Sequence, residues 1–177
     1  MTLTTLRTDR LVLRALRETD APTLTDALND YDISRWLTVV PFPYTLDDAI
    51  WFIGENRAGR MLARAIINDG RLIGVMSLNE ELGYWLAKSA WGVGFATEAA
   101  QAVLTDHFAQ TDTDVVRSSH FVENQPSRNV LRKLGFVDVG PHTHFSKARQ
   151  AEVAGRSMEL TRDNFVKLGY MDIKPVT

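Results

Sequence analysis

The sequence predicts a mixed α/β domain built on a mixed β-sheet. Two apolar runs, residues 61–67 and 72–78, flank Asn68-Asp69-Gly70, and this pattern predicts a hairpin because Asp-Gly tolerates the positive φ of a tight turn. A strand–helix–strand unit follows near the centre of the chain. Hairpins on either side of one parallel step favour a mixed sheet over a doubly wound one. A length of 177 residues predicts one domain, residues 1–177.

The first third of the chain alternates extended and helical patterns. Residues 10–16 have the alternation of a strand. Thr19-Asp20 offers N-cap side chains for a helix whose apolar residues recur at helical spacing. Residues 36–44 hold two prolines and three aromatic residues, which is typical of an apolar loop, and Thr45 caps a second predicted helix.

The central unit consists of a strand, a long helix and a second strand. We predict the strands over residues 82–87 and 115–122. The helix begins at Gly94, after a turn rich in glycine, and carries small and apolar residues on one face.

A shorter helix and two extended segments complete the predicted domain. Pro126 stands in the first turn of the helix, and Gly135 ends it as a C-terminal glycine does. The extended segments are residues 136–139 and 156–160.

Composition argues against several classes of protein. Twenty Lys and Arg against 22 Asp and Glu give a net charge of −2, which disfavours a nucleic-acid module held by a basic surface. The absence of cysteine excludes a disulfide framework, a thiolate metal site and a cysteine nucleophile. No run approaches the ~18 apolar residues of a membrane span, and residues 1–14 lack the apolar stretch of a signal peptide. We expect a cytoplasmic protein without nucleic-acid or membrane partners.

The turn Trp91-Gly92-Val93-Gly94-Phe95-Ala96-Thr97 has the composition of an anion-binding corner. Small residues at 92, 94 and 96 let backbone N–H groups approach a ligand, and the helix N-terminus adds partial positive charge. The same glycines also serve simply to close a turn. A P-loop would require Gly-Lys-Ser/Thr here, and a dinucleotide fingerprint would follow the first strand rather than the fourth.

A second block extends from Asn124 to Phe136. An ordinary helix explains most of it, with Asn124 as the cap, Pro126 in the first turn and Gly135 at the end. This ordinary interpretation does not explain why the strand and helix occur together with the glycine-rich turn that precedes them.

Together the two blocks resemble the acetyl-CoA-binding motifs of the GNAT N-acetyltransferases. The nearest branch is the ribosomal-protein N-terminal (alanine or serine) acetyltransferases with their small-molecule relatives. Further matches to that branch are Thr8-Asp9-Arg10-Leu11-Val12-Leu13-Arg14, Pro41-Phe42-Pro43-Tyr44-Thr45 and Gly83-Tyr84-Trp85-Leu86. The resemblance covers about residues 6–165, which we take as the core of the domain. It implies a largely antiparallel central sheet flanked by helices, with a splayed strand pair as the acetyl-CoA cleft.

The resemblance also implies which residues hold acetyl-CoA, the cosubstrate. The pantetheine arm pairs with the exposed edge of the strand over residues 82–87, and backbone N–H groups of the glycine-rich turn hold the pyrophosphate. The family's frequent Gln or Arg at the start of that turn is Trp91 here. The implied set is Leu86, Ala87, Gly92, Val93, Gly94, Phe95, Ala96, Thr97, Asn124 and Ser127.

Acetyl transfer to an amine requires a base, a polarised carbonyl and a stabilised thiolate. By resemblance, the Trp85 N–H bonds the thioester oxygen and Glu81 is the general base, unless Glu81 is only an exposed hairpin residue. His120 is the second candidate base because its ordinary pKa is near 6.5, or else a packed core histidine. Many relatives carry a tyrosine where Leu131 stands, so Ser127 is the expected hydrogen-bond donor to the departing sulfur, unless it only satisfies a backbone group in the first turn of the helix.

The aromatic residues Trp36, Phe42 and Tyr44 are the expected walls of the acceptor pocket, or alternatively part of the core. His142 and His144 lie two residues apart without a carboxylate nearby in sequence, so no metal site is expected there.

We therefore expect an acetyl-CoA-dependent N-acetyltransferase, monomeric or homodimeric, that needs no metal. Its acceptor is a primary amine on a protein N-terminus or a small molecule. The alternative is a non-catalytic protein of the same fold that binds or senses acyl-CoA. Only the enzyme releases free thiol from acetyl-CoA when an amine is added.

Overall fold

The computed structural model describes residues 3–170, so the outermost residues of the expected domain, 1–2 and 171–177, lie outside the described part. Within it, the strands are β1 (Leu6–Arg7), β2 (Val12–Ala15), β3 (Ala63–Asn68), β4 (Arg71–Leu78), β5 (Glu81–Leu86), β6 (Val115–Phe121), β7 (Val137–Ser146) and β8 (Ala151–Thr161). The α-helices are α1 (Ala21–Leu28), α2 (Tyr31–Ser34), α3 (Leu46–Arg57), α4 (Phe95–Gln110), α5 (Gln125–Lys133) and α6 (Arg162–Lys167).

All eight strands belong to one sheet in the order β1-β2-β3-β4-β5-β6-β8-β7. Every neighbouring pair is antiparallel except β5 and β6, which are parallel and connected through α4. The predicted mixed, largely antiparallel sheet is confirmed. A parallel pair requires a crossover connection, and α4 provides it.

Strands β5 and β6 separate soon after they meet. Their pairing consists of Glu81 with Arg117 and Leu82 with Ser118, after which each strand continues without the other. The separation leaves a wedge-shaped gap in the middle of the sheet, as the family resemblance implied.

Two apolar clusters pack on opposite faces of this sheet. One contains α4 and α5 side chains such as Val103, Leu104 and Leu131, which are at most 2% exposed. The other contains α1 and α3 side chains such as Leu24 and Ile53. Because side chains alternate along a strand, β5 sends Tyr84 toward the first cluster and Trp85 toward the second.

Local signals in the sequence explain where several elements begin. Thr45 accepts a hydrogen bond from the Asp48 N–H, and Asp48 accepts one from the Thr45 N–H, which together form a capping box at the start of α3. The β3–β4 hairpin turns through Asp69 and Gly70, both at positive φ, as the Asp-Gly pair predicted.

A buried ion pair fixes β2 to the start of α1. Arg14 donates to both carboxylate oxygens of Asp20 at 2.8 Å, and Asp20 also accepts from the Arg17 N–H. Burial alone would raise the pKa of Asp20, but the Arg14 and Arg17 hydrogen bonds outweigh it and lower that pKa from its ordinary 3.8. This contribution to stability is present above pH 3.8 and is lost as the pH falls through the lowered value.

The last hairpin is much longer than the predicted segments 136–139 and 156–160. Strand β7 continues through Gly140 and Pro141, which interrupt the apolar alternation, and its register shifts between Asp138 and Gly140. Such residues are tolerated because β7 is the edge of the sheet. The sequence interpretation also missed β1, α2 and α6, which are all short. In residues 3–170 no helix is both long and apolar enough to cross a membrane.

Candidate active site

A cavity of about 560 Å³ fills the gap between β5 and β6. Its wall combines both strands, the residues before α4, the start of α5 and the segment that follows α2. The residues that line the cavity include Trp36, Glu81, Tyr84, Trp85, Leu86, Trp91, Gly92, Ala96, Ser119, His120, Asn124 and Ser127. The structure thus brings most of the predicted site residues to one cleft.

The backbone direction along β5 corrects the roles predicted for Trp85 and Ala87. The Ala87 N–H donates to Ile73 in β4 at 2.8 Å, and the Ala87 carbonyl accepts from the Ala90 N–H. Since hydrogen-bonding direction alternates along a strand, Trp85, opposite Val75, also directs its N–H to β4. Neither residue therefore offers its N–H to the cleft, where Tyr84 and Leu86 direct theirs.

Trp91 covers part of the free edge of β5. Its indole N–H donates to the Leu86 carbonyl at 2.8 Å, and the residue remains 45% exposed. The residue that replaces the family's Gln or Arg therefore reaches back onto the strand expected to pair with pantetheine.

The start of α4 has the features of an anion cradle. Gly92 and Gly94 adopt φ values of +77° and +88°, and Gly94 caps the helix without any side-chain hydrogen bond. The first N–H groups of a helix have no partner within it, so those of Phe95, Ala96 and Thr97 face outward. The dipole of a 16-residue helix adds positive potential at this end.

Arg10 lies over this corner, which the sequence reasoning did not recognise. Its guanidinium donates to the Val93 carbonyl at 3.0 Å, stacks 4.6 Å from the centre of the Phe95 ring and pairs with Glu98. Glu98 also accepts from Thr8. Burial would raise the pKa of Glu98, but these hydrogen bonds lower it overall. The arginine within the Thr8–Arg14 motif was the available signal.

The start of α5 places two hydroxyl groups together in the cleft. Asn124 caps the helix by accepting from the Ser127 N–H at 3.1 Å. The Ser127 hydroxyl lies 3.0 Å from the Tyr84 hydroxyl. Burial raises the pKa of Tyr84 to about 12, although the Ser127 hydrogen bond opposes the rise. Tyr84 therefore keeps its proton at neutral pH. The sequence analysis did not predict Tyr84 as a site residue.

The two candidate bases lie on opposite faces of the sheet. The Glu81 carboxylate accepts from the Ser119 hydroxyl at 3.2 Å. His120 follows Ser119 on β6, so its ring lies on the other face, where only 6% of the residue is exposed. Its Nδ1 donates to the Phe121 carbonyl at 2.8 Å, and no described residue forms a hydrogen bond to its buried Nε2.

The histidines on β7 are connected to the cleft. Ser119 lies 3.1 Å from His144 Nε2, and His144 Nδ1 lies 3.0 Å from His142 Nε2. The sequence showed no carboxylate near these histidines, but the sheet brings Glu81 to the other side of Ser119. In the described residues no three acidic, histidine or cysteine side chains are grouped to hold a metal ion.

Of the three aromatic residues predicted to wall the acceptor pocket, only Trp36 lines the cavity. Tyr44 is 6% exposed within the α1–α3 cluster, where burial, followed by the charge of Asp48, raises its pKa to about 12. Phe42 packs edge-on against Tyr31 with ring centres 5.2 Å apart. Beside Trp36, Ile33 and Leu37 also line the cavity.

Comparison with known proteins identifies which proteins share this architecture. The profile of the acetyltransferase (GNAT) domain matches residues 10–137. The uncharacterized N-acetyltransferase p20 of Bacillus licheniformis is 27% identical over 180 residues, which cover 94% of this chain and 98% of p20.

Two solved structures share the fold. Mycobacterium smegmatis RimJ, in complex with CoA-disulfide, superposes with a TM-score of 0.77 at 23% identity, covering 96% of this chain and 95% of RimJ. A Salmonella typhimurium acetyl transferase, described as modifying the N-terminal serine of 50S ribosomal subunit protein L7/L12, gives a TM-score of 0.76 at 22% identity. That alignment covers 89% of this chain and 99% of the Salmonella chain.

Proposed function

Since the chain belongs to the GNAT family of acetyltransferases, we propose that it transfers the acetyl group of acetyl-CoA directly to a primary amine. The acceptor amine is the N-terminus of a protein or belongs to a small molecule. The separation of β5 from β6, beside a helix N-terminus that no side chain caps, carries this proposal. It combines a slot for an extended arm with a cradle for its diphosphate.

The residues present fit acetyl-CoA as cosubstrate. The diphosphate binds the N–H groups at the start of α4, where Gly92 and Gly94 keep the surface free of Cβ atoms. Arg10, next to this corner, adds positive charge that it shares with Glu98. The pantetheine arm lies along the cleft side of β5, between Leu86 and Asn124. Pairing with the Leu86 carbonyl requires the Trp91 indole to move aside.

Glu81 accepts the proton that the ammonium group must lose before it attacks. It lies on the same sheet face as Ser119 and lines the same cavity as Trp36. A carboxylate within reach of the amine, directly or through one water, is sufficient for this step. We assign His120 no role in proton removal because its ring lies on the opposite face.

The cleft-facing N–H groups of β5 stabilise the negative charge that develops on the thioester oxygen. Tyr84 and Leu86 direct their N–H groups to this space, so they take the role first expected of Trp85. The Ser127 hydroxyl then donates to the departing sulfur. Tyr84 orients that hydroxyl and, with its raised pKa, acts as a donor that retains its own proton.

The acceptor enters beside Trp36, Ile33 and Leu37, from the face that carries Glu81. A protein N-terminus fits because this wall is apolar next to one carboxylate, and the Salmonella structure of similar fold is described as acting on a ribosomal-protein N-terminus. A ribosomal acceptor would place the reaction in the cytoplasm.

A thiol-release assay tests this proposal. The purified protein is mixed with acetyl-CoA and a panel of amines: peptides with N-terminal Ser or Ala, polyamines and aminoglycosides. We expect free thiol to appear only with an accepted amine, and mass spectrometry to find one added acetyl group on it. Binding of acetyl-CoA without thiol release from any amine would contradict catalysis and favour the acyl-CoA-sensing alternative.

A further inference from the structure

A continuous chain of hydrogen-bonding groups leads out of the cleft through β6 to the edge of the sheet. Glu81 Oε2 and Ser119 Oγ are 3.2 Å apart, Ser119 Oγ and His144 Nε2 are 3.1 Å apart, and His144 Nδ1 and His142 Nε2 are 3.0 Å apart. Glu81 and Ser119 line the cavity, whereas the two histidines lie on the edge strand β7.

Strand β8, which lies between β6 and β7, leaves room for these hydrogen-bonded side chains. On that face β8 presents small residues: Ser157 lies opposite Ser119, and Gly155 lies opposite His142. A Cβ at Gly155 would lie 2.8 Å from the His120 carbonyl oxygen. With only Gly155 and Ser157 on β8 between Ser119 and His142, the imidazole rings cross the strand there and reach Ser119.

We propose that Ser119, His144 and His142 form a proton relay that carries the proton of the acceptor amine from Glu81 to solvent. The inference rests on the proposed function, because it supplies the exit for the proton that Glu81 removes. Glu81 is exposed in the cleft, but an acceptor beside Trp36 and a thioester in the gap would cover it. A route through the sheet edge then remains open during turnover.

The relay conserves protons at each step. The protonated Glu81 carboxyl donates to Ser119 Oγ, the Ser119 hydroxyl passes its hydrogen to His144 Nε2, and His144 passes its Nδ1 hydrogen to His142 Nε2. His142 then releases its Nδ1 hydrogen to water. One proton enters at Glu81 and one leaves at His142, and each imidazole is left with its hydrogen on Nε2 instead of Nδ1. Both rings are partly exposed, so exchange with water restores the starting tautomers.

The surroundings keep the inner imidazole ready to accept a proton. Burial, followed by the charge of His142, lowers the pKa of His144, while Glu81 opposes the shift. Other charged groups on this face include Arg117 of β6 and Glu159 of β8, which pair with each other at 3.0 Å, and Arg149, which lies over the Phe121 ring and pairs with Glu123 at 3.1 Å. A neutral His144 accepts at one nitrogen while it donates at the other.

The test measures thiol release by three variants and a control. His144→Ala removes the relay atoms. His144→Gln keeps a hydrogen-bonding group near Ser119 that cannot pass a proton. His142→Asn interrupts the chain at the outer strand, and Thr143→Ala, an exposed position between the two histidines, is the matched control. Calorimetric titration with coenzyme A verifies that each variant folds and binds.

We expect kcat to fall about 100-fold in both His144 variants, as for a lost proton-transfer group, with the KM for acetyl-CoA unchanged. Added imidazole restores turnover in His144→Ala but not in His144→Gln. His142→Asn lowers kcat and shifts the acidic limb of the pH–kcat profile, whereas Thr143→Ala matches the unaltered protein.

Two results would overturn the relay: a His144→Gln variant with unaltered kcat and pH profile, or a His142→Asn variant that titrates like the unaltered protein. Either result would limit the histidines to positioning Ser119. If the His144 variants do not fold, the outer His142→Asn variant decides. Failure of the proposed function is distinguishable, since it appears as no thiol release by the unaltered protein.

Discussion

Individual side chains in the cleft divide the proposed chemistry between the two faces of one sheet. Glu81 and Ser119 lie on the face of Trp36, where we propose that the amine enters. Tyr84 and Ser127 lie on the face of α5, where the thiol departs. Since alternate residues of a strand face opposite ways, neighbouring positions on β5 serve the two steps without interfering.

Replacement of Glu81 tests the proposed base. Glu81→Gln keeps the size of the side chain but cannot accept the ammonium proton, so we expect kcat to fall about 10²–10⁴-fold in the thiol-release assay. Glu80→Gln is the matched control, because the neighbouring carboxylate does not line the cavity. Equal kcat values for the two variants would exclude Glu81 as the base.

Removal of the Tyr84 hydroxyl tests how Ser127 is oriented. Tyr84→Phe leaves the ring in place and deletes the oxygen 3.0 Å from Ser127 Oγ. We expect kcat to fall about 10–100-fold, less than the roughly 10²–10³-fold loss for a donor that touches the reacting atoms, because Tyr84 acts through Ser127; the KM for acetyl-CoA should change little. Both constants are measured by thiol release at saturating amine and varied acetyl-CoA. The exposed Tyr31→Phe variant is the control. A rise in KM alone would assign Tyr84 to cofactor binding instead.

Sequence patterns located residues whose role depends on local structure and missed those whose role depends on contacts across strands. Asn124 and Gly94 were found because caps and turns are written in neighbouring residues. Tyr84 and Ser119 were missed because their hydrogen-bond partners are distant in sequence. Ser127 lies 43 residues from Tyr84, and Glu81 lies 38 residues from Ser119. Phe42 and Tyr44 were assigned to the pocket because a loop rich in aromatic residues has the same sequence pattern whether it lines a cavity or packs in a core.

Among the elements, the start of α4 and the edge of β5 are the ones that we propose hold acetyl-CoA. The helix supplies outward N–H groups, and the strand offers a free edge only because β6 diverges after Ser118. The Lys88 ammonium pairs with Asp30 at 2.8 Å and with Asp32 at 2.5 Å. These ion pairs hold the segment between β5 and α4 against α2, next to the acceptor wall.

Glycine substitutions test the cradle as an element. Gly92, Gly94 and Gly70 all adopt positive φ, but Gly70 lies in the β3–β4 turn. An alanine at each position costs about 1–2 kcal/mol of backbone strain. We expect Gly92→Ala and Gly94→Ala to weaken coenzyme A binding about tenfold, because the strained loop shifts its N–H groups, while Gly70→Ala lowers stability alone.

Calorimetric titration with coenzyme A and thermal melting of the three variants separate these effects. Unchanged affinity in both cradle variants would show that the diphosphate binds elsewhere.

The order of elements was predictable from the sequence, but their ends and the outer strands were not. The strand–helix–strand unit was found because its apolar spacing changes from two to about 3.6 residues and back. The β7–β8 hairpin was underestimated because its register shift and Pro141 remove the alternation that identifies a strand. Hydrogen bonding between neighbouring strands of the sheet stabilises this hairpin, and that pairing leaves no local sequence pattern.

For the whole molecule, one continuous sheet separates two apolar clusters, so we expect residues 3–170 to unfold as one unit. Coenzyme A at 100 times its Kd adds about 2.7 kcal/mol to the free energy of unfolding. For a chain of this size that corresponds to a rise in Tm of about 5–10 °C. Calorimetry checks both expectations; two separate transitions, only one of which responds to coenzyme A, would contradict them.

The most direct test of the central claim is a crystal structure of the protein with coenzyme A. We expect the diphosphate against the N–H groups at the start of α4 and the arm between β5 and β6. The sulfur should lie within hydrogen-bonding distance of the Ser127 hydroxyl. A ligand bound away from this gap, or a gap closed by packed side chains while coenzyme A is bound, would contradict the account.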